Sequence, residues 1–81
     1  MKVAVKLFAV ARDKVGRGSI EVDLPSPANV GRLRGALTEQ YPELRGVVPH
    51  ARFAVNNEYA GDAAEILPHA EIAIIPPVSG G

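Results

Sequence analysis

The chain has no cysteine and no tryptophan, one methionine, and only two Phe and two Tyr among its 81 residues. Without cysteine there is no disulfide, no thiolate zinc site and no persulfide carried on a side chain. An excess of one charge is missing too: nine Lys and Arg balance nine Asp and Glu, whereas a nucleic-acid binder normally shows a net basic face. The bases lean toward the first half, in Lys2, Lys6, Arg12, Lys14, Arg17, Arg32 and Arg34, which allows a local patch but is no polybasic run. No stretch approaches the ~18 apolar residues of a membrane span. Lys2 is followed by alternation, not by the continuous apolar core of a signal peptide. These absences predict a cytoplasmic chain without nucleic-acid or membrane partners.

What is present is enough for one small globular domain: 47% hydrophobic and 22% charged residues, too apolar for disorder. Lys2 to Ala9 alternates, with Val3, Val5 and Leu7 on one face and Lys2, Ala4, Lys6 and Phe8 on the other, the period of a strand. Phe8 sits on the face that the lysines mark as wet, so it is either a flanking core residue after a twist or a partner contact. Ala9 to Val15 fits about two helical turns before Gly16-Arg17-Gly18 breaks the chain. Ser19 to Leu24 alternates again. Glu21 and Asp23 share its outer face and read as solvated, because nothing nearby pairs with them for acid–base work.

Pro25-Ser26-Pro27 predicts a turn, and Asn29 an N-cap for one long helix, Val30 to Tyr41, ended by Pro42. Val30, Leu33, Leu37 and Tyr41 form its apolar stripe. Gly31 and Gly35 each cost about 1 kcal/mol relative to Ala, so packing must hold this helix. An irregular connection follows, with Leu44 and either Val47 or Val48 tucking in. Arg52 to Val55 reads as a strand, Asn56-Asn57 as a hairpin turn, and Glu58 to Ala60 as a short return. Ile66 and Leu67 are expected to plug a loop. Glu71 to Ile75 is apolar on both faces, as in a central or covered strand. The order of elements predicts an α+β roll, one long helix across a mixed sheet of about five strands. Residues 1–75 form the domain and 76–81 an extended tail.

Candidate catalytic residues inside the domain are scarce. His50 and His69 lie near no nucleophile and in no metal-ligand spacing, so no metal site is expected. Ser79 has no base and reads as a spacer. The chain is not a self-sufficient enzyme on this evidence. Its ending is different. Pro76 and Pro77 fix φ and lack donors that could join a ladder, while Gly80 and Gly81 lack Cβ atoms and can thread a narrow channel. Six residues extended reach about 20 Å. Either this is a frayed terminus, or it is an arm that delivers the Gly81 carboxylate to another protein's active site. A carboxylate becomes reactive as an acyl-adenylate. Sulfide or a persulfide then captures it as a thiocarboxylate, or a thiol passes it to a lysine. The absence of cysteine favours the first.

Ile74-Ile-Pro-Pro-Val-Ser-Gly-Gly81 resembles the ending of the molybdopterin synthase small-subunit family. Lys2-Val3, Leu7-Phe8-Ala9, Arg12, Leu24-Pro25, the Val30, Leu33, Leu37, Tyr41-Pro42 region and Val55-Asn56-Asn57 also resemble it, so the likeness spans nearly the whole chain. It implies the β-grasp fold of ubiquitin, with the first and last strands side by side in parallel. It also implies a sulfur-carrier role in molybdenum cofactor biosynthesis. An activating enzyme like the ubiquitin E1 class would adenylate Gly81 with ATP, with no cofactor resident on the chain, and a thiocarboxylate would form. The synthase large subunit, in a heterotetramer of two small and two large subunits, would take in the tail and pass sulfur to cyclic pyranopterin monophosphate. On the same resemblance Gly80 and Gly81 are the reacting end and Pro76, Pro77, Val78 and Ser79 the inserted arm. Phe8, Arg12, Tyr59 and Ile75 face the partner, although Arg12 also fits a solvated charge. A related carrier for thiamine, cysteine or tRNA thiolation, or a protein modifier, remains the alternative. The family's usual Gly-Asp before the last strand is His69-Ala70 here, which leaves the geometry of that turn open.

Overall fold

The computed structural model describes residues 1–76. Alternation becomes burial in β1 (Lys2–Leu7), where Val3, Val5 and Leu7 are covered and Lys2, Ala4 and Lys6 are exposed. The short helix α1 (Ala9–Val15) stops at Gly16, whose φ of +82° suits the residue without a Cβ and whose N–H donates to the Arg12 carbonyl at 2.7 Å. Strand β2 (Ser19–Asp23) returns antiparallel to β1, with Ile20 and Val22 inward and Glu21 and Asp23 outward.

A two-residue strand, β3 (Ala28–Asn29), leads into the main helix α2 (Val30–Gln40). Asn29 caps it: its side-chain Oδ1 accepts from the Arg32 N–H at 2.8 Å. Val30, Leu33 and Leu37 are fully buried. Two single 3-10 turns, Pro42–Leu44 and Val48–His50, connect to β4 (Arg52–Val55). Asn56 and Asn57, at φ +51° and +69°, make the tight turn to β5 (Glu58–Ala60), as two asparagines in the left-handed region can. The last strands are β6 (Glu65–Ile66), antiparallel to β3, and β7 (Glu71–Ile75).

The main sheet has the order β2-β1-β7-β4-β5, with β1 and β7 parallel and the other neighbours antiparallel. This is the β-grasp arrangement, and β7 is its central strand. Val5, Val22, Phe53, Ile72 and Ile74 from the sheet meet Leu33 and Leu37 from α2 and Leu44 and Val48 from the connection in one core, each of them essentially unexposed.

Several details depart from the sequence reading. Helix α2 ends at Gln40, one residue early, and Tyr41 leaves the stripe half-buried. Its hydroxyl donates to the Glu21 carbonyl at 3.0 Å, and the Gln40 amide bridges the Asp23 N–H and C=O at 3.0 and 2.9 Å. These side chains occupy the outer edge of β2, where open backbone groups would invite another strand. Gly31 is explained by crowding: its N–H donates to the Asp62 carbonyl at 2.9 Å, and a Cβ would stand 3.4 Å from that oxygen and from Asn29 Oδ1. Val47 and Val48 are both buried, not one of the two. Leu67 is no plug. It is 59% exposed, because β6 is only two residues long and alternation that turns Ile66 inward turns Leu67 out. His69 takes φ +68° itself, in place of a glycine, and Ala70 N–H donates to the Leu67 carbonyl at 3.2 Å. The turn is made through a residue that tolerates the left-handed region better than most.

Arg34, which reads in the sequence as a surface base on α2, is a latch. Its Nη1 donates to the Val48 carbonyl at 2.6 Å and its Nε to Asp62 Oδ1 at 2.8 Å, and its guanidinium lies 4.7 Å from the Phe53 ring centre. One side chain thus ties α2 to the turn before β4 and to the loop after β5.

Candidate functional site

The outer face of the sheet, away from α2, is built by register. Lys6, Ala73, Ala54 and Tyr59 form one row across β1, β7, β4 and β5. One step toward the end of β7, Ile75 pairs with Arg52, and Phe8 follows Leu7, the partner of Ile74. The two alanines leave a depression in the middle of the face. Larger residues wall it, giving a groove of about 350 Å³ lined by Lys6, Phe8, Ala54, Tyr59, Ala73 and Ile75, with Glu71 at the far end.

Phe8 and Tyr59 hold their aromatic rings 49% and 66% exposed. Phe8 keeps extended backbone at the end of β1, and Ala9 then swings into α1 through φ +50°. That left-handed alanine is mildly strained, and it marks the place where the chain leaves the sheet beside the groove. Tyr59 is presented by the short edge strand β5, and the Arg52 guanidinium stacks on it, 5.3 Å from the ring centre. Ile75 is half-buried and Pro76 buried, and Ile75, where β7 ends, is also a wall of the groove.

The structure therefore brings together Phe8, Tyr59 and Ile75. It does not add Arg12 to them: Arg12 is exposed on α1, one turn beyond Phe8, and lines no part of the groove. Pro77, Val78, Ser79, Gly80 and Gly81 lie outside the described residues. Sequence reasoning missed the floor, Ala54 and Ala73, and the stacked Arg52. Alanine at outward positions of β4 and β7 was visible, but which alanines face each other depends on a long-range register.

No described residue offers a nucleophile with a base, and no three His, Cys, Asp or Glu among the described residues gather closely enough to hold a metal ion. What the groove can do is seat an apolar side chain of another protein against aromatic and aliphatic walls. No described helix is long and apolar enough to cross a membrane.

Comparison with known proteins gives a family model, curated relatives and solved structures that match most of the chain or all of it. The model of the ThiS family matches residues 5–81. A molybdopterin synthase sulfur carrier subunit from Caenorhabditis elegans is 35% identical, with 100% of this chain and 99% of that protein covered. The human protein of the same description is also 35% identical, over 99% of this chain and 94% of its own length. Among solved structures, SAMP1 from Haloferax volcanii superposes with a TM-score of 0.84 at 30% identity, both chains being covered completely.

Proposed function

The chain belongs to the ThiS family, and from this we propose that it is the sulfur-carrier small subunit of molybdopterin synthase. In this reading Gly81 is the working group. Its carboxylate oxygen attacks the α-phosphate of ATP on an activating enzyme, pyrophosphate leaves, and a sulfide-equivalent nucleophile displaces AMP to give a C-terminal thiocarboxylate. The synthase large subunit then takes in the arm, residues 76–81, and the sulfur passes to cyclic pyranopterin monophosphate; water restores the carboxylate. Two small and two large subunits make the expected assembly, and the basic catalytic side chains belong to the large one.

The observation that carries this reading is the position of Ile75. It is at once the last residue of the central strand and a wall of the apolar groove, so a protein seated on the groove receives whatever follows Pro76. Phe8 and Tyr59 are assigned to that contact, and Ala54 and Ala73 form its floor. The lack of cysteine supports a clean carrier, since no side-chain thiol can attack the activated end from within the chain.

The test is intact mass spectrometry after co-expression with an E1-like activating enzyme, followed by a single-turnover reaction with the large subunit and cyclic pyranopterin monophosphate. One oxygen exchanged for sulfur, and molybdopterin formed, are expected; a chain that never gains sulfur sinks the proposal. The likeness to SAMP1 of Haloferax volcanii, described in a second structure as small archaeal modifier protein 1, favours a second reading, attachment of Gly81 to lysines. High-mass adducts that survive reductant would support that reading instead.

A further inference from the structure

The Arg52–Tyr59 pair is the feature that the reading above leaves unused. Arg52 stacks on Tyr59 yet makes no ion pair among the described residues, where the one salt bridge is Arg34 to Asp62. Tyr59 is a ridge with a depression on either side. Toward β7 lies the apolar groove; on the other side is a second hollow of about 260 Å³ lined by Arg34, Arg52, Phe53, Tyr59, Ala60 and Gly61. Two guanidinium groups line this second hollow; Arg34 is paired with Asp62, which leaves Arg52 as the hollow's uncompensated charge among the described residues. Charge along the groove is graded as well. Its one acid, Glu71, lies at the start of β7, while Arg52 pairs with Ile75 at the end from which the chain departs.

We infer that the sheet face carries a two-point footprint for one partner segment, an apolar side chain in the groove and a carboxylate across the Tyr59 ridge in the second hollow, paired with Arg52. The occupant is a stretch of the large subunit, so the inference rests on the proposed function and adds the chemistry of the surface that meets this face. A planar guanidinium held over a ring is already oriented for a bidentate carboxylate, and it loses less freedom on binding than a free side chain. The apolar half supplies contact area and the charged half selects among partners and speeds their encounter. The two halves adjoin at Tyr59, which explains why one exposed aromatic serves both.

The experiment is calorimetric titration of the full chain with the large subunit encoded in the same genome, at low and at raised salt. Arg52→Glu should weaken binding by roughly tenfold or more and flatten the salt dependence. Tyr59→Leu keeps an apolar wall but frees the guanidinium, so it should weaken binding less and keep the salt dependence. Arg45→Glu, an exposed charge in the turn after α2, is the control and should match the unaltered chain. Thermal melts establish that each variant is folded. Equal affinities for Arg52→Glu and Arg45→Glu, or binding of the unaltered chain that ignores salt, would overturn the footprint alone. Failure of the unaltered, folded chain to bind overturns the functional reading and the footprint with it.

Discussion

Replacing Phe8 by Ala tests whether the groove is a binding surface. Phe8 is 49% exposed, and an aromatic side chain buries 150–250 Å² when fully covered. Roughly 75–120 Å² of ring therefore remains for a partner to cover, worth about 2–3 kcal/mol at ~25 cal/mol per Å². That corresponds to a Kd raised roughly 30- to 150-fold for the large subunit. The covered half of the ring contributes to the fold on the same scale, so the variant should also lose about 2–3 kcal/mol of stability. The two effects separate cleanly. Urea unfolding gives the folded fraction at the titration temperature, and affinity is referred to folded protein only. A Kd that moves less than about threefold, with the variant almost wholly folded, would show that the exposed ring covers nothing.

Other perturbations divide arm, fold and latch. Removing Gly81 should abolish thiocarboxylate formation and leave the melting temperature unchanged, since it removes none of the buried residues of the described domain; mass spectrometry and a thermal scan read the two halves. Gly35→Ala should stabilise the fold by about 1 kcal/mol and raise Tm by about 4–8 °C, because a Cβ there meets open space. Gly31→Ala should gain less, its Cβ being pressed against Asp62 and Asn29. Arg34→Met keeps a stem over Phe53 but orphans the part-buried Val48 carbonyl, costing about 1.5–3 kcal/mol in urea denaturation. Asp62→Asn should cost much less, because the ion pair is exposed on the Asp62 side, and equal losses would contradict the latch.

Much of the fold was legible because local signals agreed with one another. Alternation in β1 and β2, the Asn29 cap, the stripe of α2, the Asn56-Asn57 turn and the doubly apolar β7 all act within a few residues. The misses share another cause. β3 and β6 are two residues each, and Asn29 pairs with Glu65 36 positions further on, a link that neither pattern nor composition records. No periodicity can show in a strand that spans a single period. Arg34 was opaque for the same reason: its partners Val48, Phe53 and Asp62 come from three later segments, and as a sequence feature it is merely a cation on a helix.

The site divides along the same line. Phe8 stood out because an aromatic followed lysines on a face that alternation marked as wet, whereas Ile75 read only as part of a strand apolar on both sides and became a partner contact through the family likeness. Tyr59 and Arg12 entered on family likeness, and the structure separates them, placing Tyr59 in the groove and Arg12 outside it. The floor was out of reach. An alanine facing outward from a strand satisfies every folding rule whether it is solvated or sits at the bottom of a groove, so nothing local distinguishes Ala4, which is exposed, from Ala54, which is 8% exposed. Alternate residues of β7 show why. Ile72 and Ile74 are constrained by the core and reveal themselves through hydrophobicity, whereas Ala73 and Ile75 carry the outer surface at little cost to the fold. A surface that folding does not require leaves its mark only as an exception to pattern, and Phe8 is that exception here.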